Sequence, residues 1–206
     1  MTTLLLIHGG LWEDGMDAES FWHKPGIVAG LQRHGFEVLT PNRRYRAPDW
    51  TAEVNHLAPV LPDRPVTILA GSNGCSVAVR LALGAFPDRI ERLLLAWPAT
   101  ANDPTVDAQS RAGLTELDAS PEVVDALLTG QTLRGVTDDE LATLRIPVGM
   151  LPSVPENPFH QRHTVDALRR LLPRADELPG CPEPPHPGFP PHTESFVSTV
   201  TGFAPR

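Results

Sequence analysis

A serine set between small residues is the feature of this sequence that points most directly to chemistry. Ser72 follows the apolar run 66–70, and Ala70 and Gly74 stand two residues away on either side. A nucleophile on a sharp turn from a strand into a helix needs such small neighbours, because bulkier side chains keep the backbone from closing. The pattern predicts a serine nucleophile, and the alternative is that Ser72 only caps the helix.

The two cysteines have no chemical pattern around them. Cys75 as a nucleophile would need small residues at positions 73 and 77, where Asn73 and Val77 stand, so we interpret it as a helix-packing residue. Cys75 and Cys181 lie far apart and form no C-x-x-C pair, which argues against a zinc ribbon or a redox pair.

The composition limits the possible partners and the number of domains. The chain has 206 residues and a net charge of −8, from 17 basic and 25 acidic side chains. Its length suits a single domain over 1–206. Nucleic acid and anionic membranes require a basic footprint, so neither is expected as the main partner. No apolar run reaches transmembrane length and residues 1–10 lack the basic start of a signal peptide, so we expect a cytoplasmic protein.

Some polar clusters carry weaker signals. His160 and His163 have the helical spacing of metal ligands but no evident acid or cysteine partner, so no metal is expected. Arg43, Arg44 and Arg46 follow the second predicted strand, where a substrate anion or plain solvent could meet them. No glycine-rich dinucleotide fingerprint occurs.

Short apolar runs alternate along the chain with stretches of helical spacing. The runs predict buried parallel strands at 3–7, 37–40, 66–70, 92–97, 146–151 and 175–178. Helices are predicted at 21–34, 50–61, 73–86, 161–172 and 194–203. This alternation predicts an α/β protein with a doubly wound, mostly parallel sheet of about six strands.

One interval, 98–145, breaks the alternation. It contains no strand pattern but two helix starts, Ser120-Pro121-Glu122 and a capping box formed by Thr137 and Glu140. We predict a short helical insertion within the single domain.

The chain resembles the α/β-hydrolase family along nearly its whole length. The resemblance is carried by the strand ending in His8-Gly9-Gly10, the turn at Ser72, the insertion and the late histidines, although Ala70 replaces the first glycine of G-x-S-x-G. It implies that fold without its first two strands and with 98–145 as a lid. It also implies an oxyanion hole from the backbone N–H groups of Asn73 and of Gly10 or Leu11, with His8 orienting the loop.

The resemblance also implies positions for the other two members of a catalytic triad. The family order is serine, acid, histidine. His186 lies ten residues before Phe196, a common family spacing, and is the expected base, with His192 as the alternative. Glu156 follows the strand after the lid and is the expected acid, with Asp103 as the alternative.

Side chains near the start of the chain are candidates for a substrate pocket, because they follow the oxyanion loop. They are Leu11, Trp12, Glu13, Phe21 and Trp22.

The implied activity is that of a serine hydrolase acting on a small ester, thioester or lactone through an acyl-enzyme, with a small-molecule acyl substrate as partner and no cofactor. The oligomeric state is not predicted. Two alternatives remain: a lyase or cyclase on the same fold, and a non-catalytic small-molecule-binding protein.

Overall fold

The computed structural model describes residues 2–84, 87–184 and 186–204. Its centre is one parallel sheet of six strands, as predicted: β1 (Thr3–Ile7), β2 (Glu37–Leu39), β3 (Val66–Gly71), β4 (Ile90–Ala96), β5 (Val148–Leu151) and β6 (Ala175–Glu177). The spatial order is β2-β1-β3-β4-β5-β6, and every neighbouring pair is parallel. The C-terminal ends of β3, β5 and β6 therefore open onto one edge of the sheet.

The described helices are α1 (Ile27–Arg33), α2 (Trp50–Leu57), α3 (Gly74–Leu83), α4 (Pro104–Glu116), α5 (Pro121–Leu127), α6 (Asp138–Thr143), α7 (Arg162–Leu171) and α8 (Thr193–Phe203). The end of the predicted helix 73–86 falls partly on residues 85 and 86, which lie outside the described residues. Within the described ranges, no helix combines the length and apolarity needed to cross a membrane.

The sheet separates two hydrophobic cores, because successive strand side chains point to opposite faces. Leu5 and Ile7 of β1 pack on the face that also buries α2, α3 and α7. Leu4 and Leu6 pack on the other face with α1 and α8. All five residues of β1 are buried, which explains why the strand is a continuous apolar run.

The predicted helix over 21–34 is interrupted. A π-helical turn at Glu19–His23 ends before Pro25, and α1 begins after Gly26. Gly26 has a φ of 81°, a left-handed conformation that favours glycine. Pro25 lacks the N–H that a continuous helix would use, so the interruption is built into the sequence.

Three helices, α4 to α6, occupy the interval between β4 and β5. The two predicted starts are present: the Ser120 side chain caps α5, and Thr137 and Glu140 form the capping box of α6. The first helix, α4, was not predicted. Asp103 caps it by accepting from the N–H groups of Thr105 and Val106 at 3.0 and 2.9 Å.

Candidate active site

Ser72 lies on a strained turn between β3 and α3. Its φ is 52°, in the left-handed region that a residue with a side chain seldom adopts. A Cβ on Gly74 would lie 2.6 Å from the carbonyl oxygen of His8, and one on Gly9 would lie 2.8 Å from the Ser72 Cβ. Glycine at these two positions lets the turn pack directly against the end of β1.

The side chain that meets this serine is His160. Its Nε2 lies 3.0 Å from the Ser72 Oγ. His160 comes from the loop between β5 and α7, and its side chain is only 10% exposed. When Nε2 accepts the hydroxyl proton of Ser72, the ring carries its own hydrogen on Nδ1, which then needs an acceptor.

The carboxylate of Glu183 lies beside that nitrogen. Its Oε1 lies 3.6 Å from the His160 Nδ1, and it comes from the loop between β6 and α8. Burial raises the pKa of the Glu183 carboxyl, but the hydrogen bond and charge of His160 and the hydroxyl of Ser153 outweigh it and hold the pKa at about 2. Glu183 is therefore ionised at neutral pH beside the imidazole.

Asn157 lies between these two groups. Its Nδ2 is 3.1 Å from the Glu183 Oε1 and 3.2 Å from the His160 Nδ1. The amide nitrogen donates to the Glu183 carboxylate. In the tautomer that accepts from Ser72, Nδ1 is also a donor, so the same carboxylate is then the neighbouring acceptor for both groups. Asn157 thus fixes the position of the Glu183 carboxylate.

The loop that carries Glu183 is held in place by contacts at Cys181, two residues before the glutamate. The Trp97 indole N–H donates to the Cys181 carbonyl at 2.7 Å, and the Trp97 ring stacks on Phe196 with centroids 5.1 Å apart. Ser153 Oγ lies 3.2 Å from the other Glu183 oxygen. These contacts bind the loop to β4, β5 and α8, so the carboxylate is held by the core of the protein.

The structure does not bring the expected histidines to the serine. His186 is exposed, and its Nδ1 accepts the N–H of Gly188 at 2.9 Å in its own proline-rich turn. His192 forms the N-cap of α8, where its carbonyl accepts the Ser195 hydroxyl. The prediction that His186 contacts Ser72 is therefore wrong, and the histidine in that position is His160.

The expected acids are also elsewhere. Glu156 is exposed, and its Oε2 accepts the N–H of Arg162 at 2.6 Å, at the start of α7. Asp103 is the cap of α4 described above. Each of these two carboxylates accepts hydrogen bonds at a helix start, where backbone N–H groups lack partners. The carboxylate beside the His160 imidazole is that of Glu183 instead.

The carbonyl groups of the loop after β1 face Arg43. The Arg43 Nη1 donates to the carbonyl oxygens of His8, Gly9 and Gly10 at 3.3, 3.1 and 2.6 Å. In a trans peptide the N–H points opposite to the preceding carbonyl, so the Gly10 N–H points away from Arg43. The Leu11 N–H donates to the Glu13 carboxylate at 2.5 Å, which leaves Gly10 as the candidate donor.

His8 is a structural member of this loop. Its Nδ1 lies 2.9 Å from the Gly9 carbonyl, and its Nε2 accepts the N–H of Arg43 at 3.0 Å. Burial and the neighbouring Arg43 charge lower the pKa of His8 to about 4, so the ring is neutral at neutral pH.

Arg43 itself is held by a buried ion pair with Glu53. The Arg43 Nη2 and the Glu53 Oε1 are 2.6 Å apart, and the two side chains are 4% and 2% exposed. We expect Glu53→Gln to lower the free energy of unfolding by about 3–5 kcal/mol, because it leaves a buried guanidinium without its counter-charge. Urea denaturation checks this.

The matched control is Glu194→Gln, which breaks the exposed pair between Arg33 and Glu194. We expect that variant to keep the wild-type urea midpoint, since exposed pairs contribute little. Equal midpoints for Glu53→Gln and Glu194→Gln would show that the Arg43 pair does not hold the loop.

A cavity of about 240 Å³ opens at Ser72. Its walls include Gly10, Asn73 and His160, together with apolar surface from Met16, Phe21, Ala99 and Phe159. Phe21 and Glu13 were among the expected pocket residues, and both line it.

The other expected pocket residues lie outside this cavity. Leu11 and Trp12 line a separate depression on the Arg43 side of the loop, where the Trp12 indole donates to the Ala47 carbonyl at 2.9 Å. Trp22 is fully buried, with its ring 4.6 Å from that of Phe21. The π-helical turn directs Phe21 toward the serine and Trp22 into the core behind it.

No group of three His, Cys, Asp or Glu side chains among the described residues is arranged to hold a metal ion.

Comparison with solved structures identifies the architecture. A meta-cleavage product hydrolase from Pseudomonas fluorescens superposes with a TM-score of 0.72 at 16% identity, over 98% of this chain and 90% of that one. The chain has the α/β-hydrolase fold. A bromoperoxidase from Bacillus anthracis matches with a TM-score of 0.71 at 16% identity, over 97% of this chain and 90% of that one. An extracellular α/β-hydrolase from a Paenibacillus species matches with 0.67 at 17%, over the full length of both.

These likenesses are structural. No family model matches the sequence, and no curated protein matches it either. At 16–17% identity the comparisons establish the α/β-hydrolase fold and leave the chemistry to be argued from the site.

The site departs from the α/β-hydrolase pattern in its chain order. In that family the acid precedes the histidine. Here the loop after β5 carries His160 and the loop after β6 carries Glu183, so the two groups are exchanged. Sequence reasoning missed both residues because it assigned roles by that order. The sequence did contain a usable signal: a histidine in the loop after β5 and a carboxylate in the loop after β6.

Proposed function

We propose that this chain is a serine hydrolase that cleaves a small carboxylic ester, thioester or lactone through an acyl-enzyme on Ser72. The observation that carries the proposal is the 3.0 Å contact between the Ser72 Oγ and the His160 Nε2, with Glu183 behind the imidazole. A hydroxyl, a base and a group that orients the base are the three parts that nucleophilic catalysis by serine requires.

The first half-reaction forms the acyl-enzyme. The Ser72 Oγ attacks the carbonyl carbon while its proton passes to the His160 Nε2. Glu183 accepts the Nδ1–H of the ring and stabilises the imidazolium that results. The tetrahedral intermediate collapses as the bond to the leaving oxygen or sulfur breaks, and that atom takes the proton from Nε2. Water then attacks the acyl carbon with His160 again as base, which releases the acid and restores the serine.

The oxyanion of both intermediates needs backbone donors. We assign this role to the N–H groups of Gly10 and Asn73, since both residues line the cavity and neither N–H has a hydrogen-bond partner among the described residues. Asn73 is also the N-cap of α3, where the helix dipole favours negative charge. Donors of this kind are worth about 10²–10³ in rate each.

A fluorophosphonate probe tests the proposal, because it reacts covalently with an activated serine. We expect one adduct per chain by intact mass, mapped to the peptide that contains Ser72, and none in Ser72→Ala. Ser195→Ala, which removes an exposed serine, is the control and should label like the wild type. A folded wild type that takes no label and cleaves no ester would contradict the proposal and favour a binding protein on this fold.

A further inference from the structure

A buried arginine from the insertion between β4 and β5 also lines the cavity. Arg134 lies between α5 and α6 and is only 2% exposed, yet it forms part of the same wall as Ser72 and His160. Its Nη2 pairs with the Asp107 carboxylate at 2.9 Å and approaches the Ser110 hydroxyl at 3.3 Å, both on α4.

The other terminal nitrogen of this guanidinium is unused. The Arg134 Nη1 is enclosed and has no hydrogen-bond partner among the described residues. Ser110 accepts from Arg134, and its own hydroxyl hydrogen likewise has no acceptor there. Burying a charged donor without an acceptor is costly, and such groups are commonly satisfied by a ligand or an ordered water.

The surrounding charges decide what kind of acceptor fits. The Arg134 charge is already balanced by Asp107, and the cavity wall also carries the carboxylates of Glu13 and Glu183. A bound anion would face the two wall carboxylates, with a guanidinium whose charge Asp107 already balances. A neutral oxygen would accept a charge-assisted hydrogen bond without that repulsion.

We propose that Arg134 and Ser110 form a subsite for a neutral carbonyl oxygen of the substrate, separate from the carbonyl that Ser72 attacks. The proposal rests on the hydrolase function above and gives the substrate class: a compact, largely apolar ester or thioester with a second, uncharged oxo or amide group. The apolar walls from Met16, Phe21 and Phe159 suit the remainder of such a molecule.

The test compares methyl esters in which one methylene is replaced by a ketone. Methyl 3-oxo-, 4-oxo- and 5-oxohexanoate are assayed against methyl hexanoate, with monomethyl glutarate as the anionic counterpart. A parallel set places the ketone in the alcohol part. The variants are Ser110→Ala, which removes one hydroxyl, and Arg134→Met combined with Asp107→Asn, which removes the ion pair without stranding a charge.

We expect the wild type to prefer one oxo ester over methyl hexanoate by about tenfold or more in kcat/KM, since a site built to donate a hydrogen bond discriminates against the analogue that lacks the acceptor. In the double variant that ratio should fall towards one, and in Ser110→Ala it should fall part of the way. An unchanged ratio in the folded double variant overturns the proposal, and so does a preference for monomethyl glutarate.

Binding to Ser72→Ala separates this proposal from the hydrolase function. The shift in melting temperature of Ser72→Ala is measured with the oxo esters and with methyl hexanoate, which needs no turnover. A larger shift with one oxo ester, lost when Arg134→Met and Asp107→Asn are added, supports the subsite even if no ester is cleaved. Equal shifts for the oxo and alkyl esters overturn it even if fluorophosphonate labelling succeeds.

Discussion

We expect His160→Ala to lower kcat for ester hydrolysis by about 10⁴- to 10⁶-fold, the range seen when the base of a serine triad is removed. His160 is the residue in contact with the Ser72 hydroxyl, at 3.0 Å. Without it the hydroxyl has no base to take its proton, and the leaving group has no acid to protonate it. The same variant should slow fluorophosphonate labelling, because the probe also needs an activated serine.

His186→Ala is the matched control. His186 lies in an exposed turn and bonds to Gly188, so its loss should leave kcat within about twofold of the wild type, as surface substitutions away from special features have small effects. A large loss in His186→Ala together with a small one in His160→Ala would restore the assignment that the family order implies. Circular dichroism and the melting temperature establish that both variants are folded.

Much of the frame that carries this site could be predicted from the sequence. The run Thr3–Ile7 is buried on both faces and had to be a central strand. The small residues around Ser72 are needed because a Cβ at Gly74 would collide with the end of β1. These predictions succeeded because each depends on local sterics and on burial, which a single sequence records directly.

The histidine and the carboxylate beside Ser72 could not be predicted in the same way. Strands β5 and β6 are adjacent and parallel, so the loops after them meet at one edge of the sheet. Either loop can then carry the imidazole while the other carries the carboxylate, and spacing along the chain does not distinguish the two arrangements. A rule of chain order chose one of them, and the contact of His160 with Ser72 corresponds to the other.

The part of the insertion that forms the cavity wall could not be predicted for a different reason. The capping residues Ser120 and Thr137 mark helix starts that any solvent-exposed helix would share. The burial of Arg134 depends on how α4 and the segment after α5 fold over the cavity, and its partner Asp107 lies 27 positions earlier. Long-range pairing of this kind leaves no periodic signal in a sequence, so the pocket wall could only be seen in the structure.

We expect Glu183→Gln to lower kcat by about 10³- to 10⁴-fold while leaving KM for a small ester nearly unchanged, as loss of the orienting carboxylate does in serine triads. The glutamine amide keeps the volume but has no charge to stabilise the imidazolium, and only one of its two terminal atoms can accept a hydrogen bond.

The control is Glu156→Gln, which neutralises the exposed carboxylate at the start of α7 and should keep wild-type kcat. Steady-state kinetics on both variants provides the measurement. Similar losses of kcat in Glu183→Gln and Glu156→Gln, or none in either, would rule out Glu183 as the group that orients His160.

The pH dependence of stability gives this prediction a second, independent test. The pKa of Glu183 in the folded chain is about 2, below its ordinary 4.5, because the interactions with His160 and Ser153 outweigh burial. A lowered pKa means that the unfolded chain binds the proton more readily, so the carboxylate stabilises the fold fully above pH 4.5, and this contribution is lost as the pH falls towards 2. The difference in urea stability between wild type and Glu183→Gln should therefore shrink as the pH falls below 4.5. A difference that stays constant down to the lowest pH at which both are folded would mean that the charge of Glu183 is not held by the imidazole.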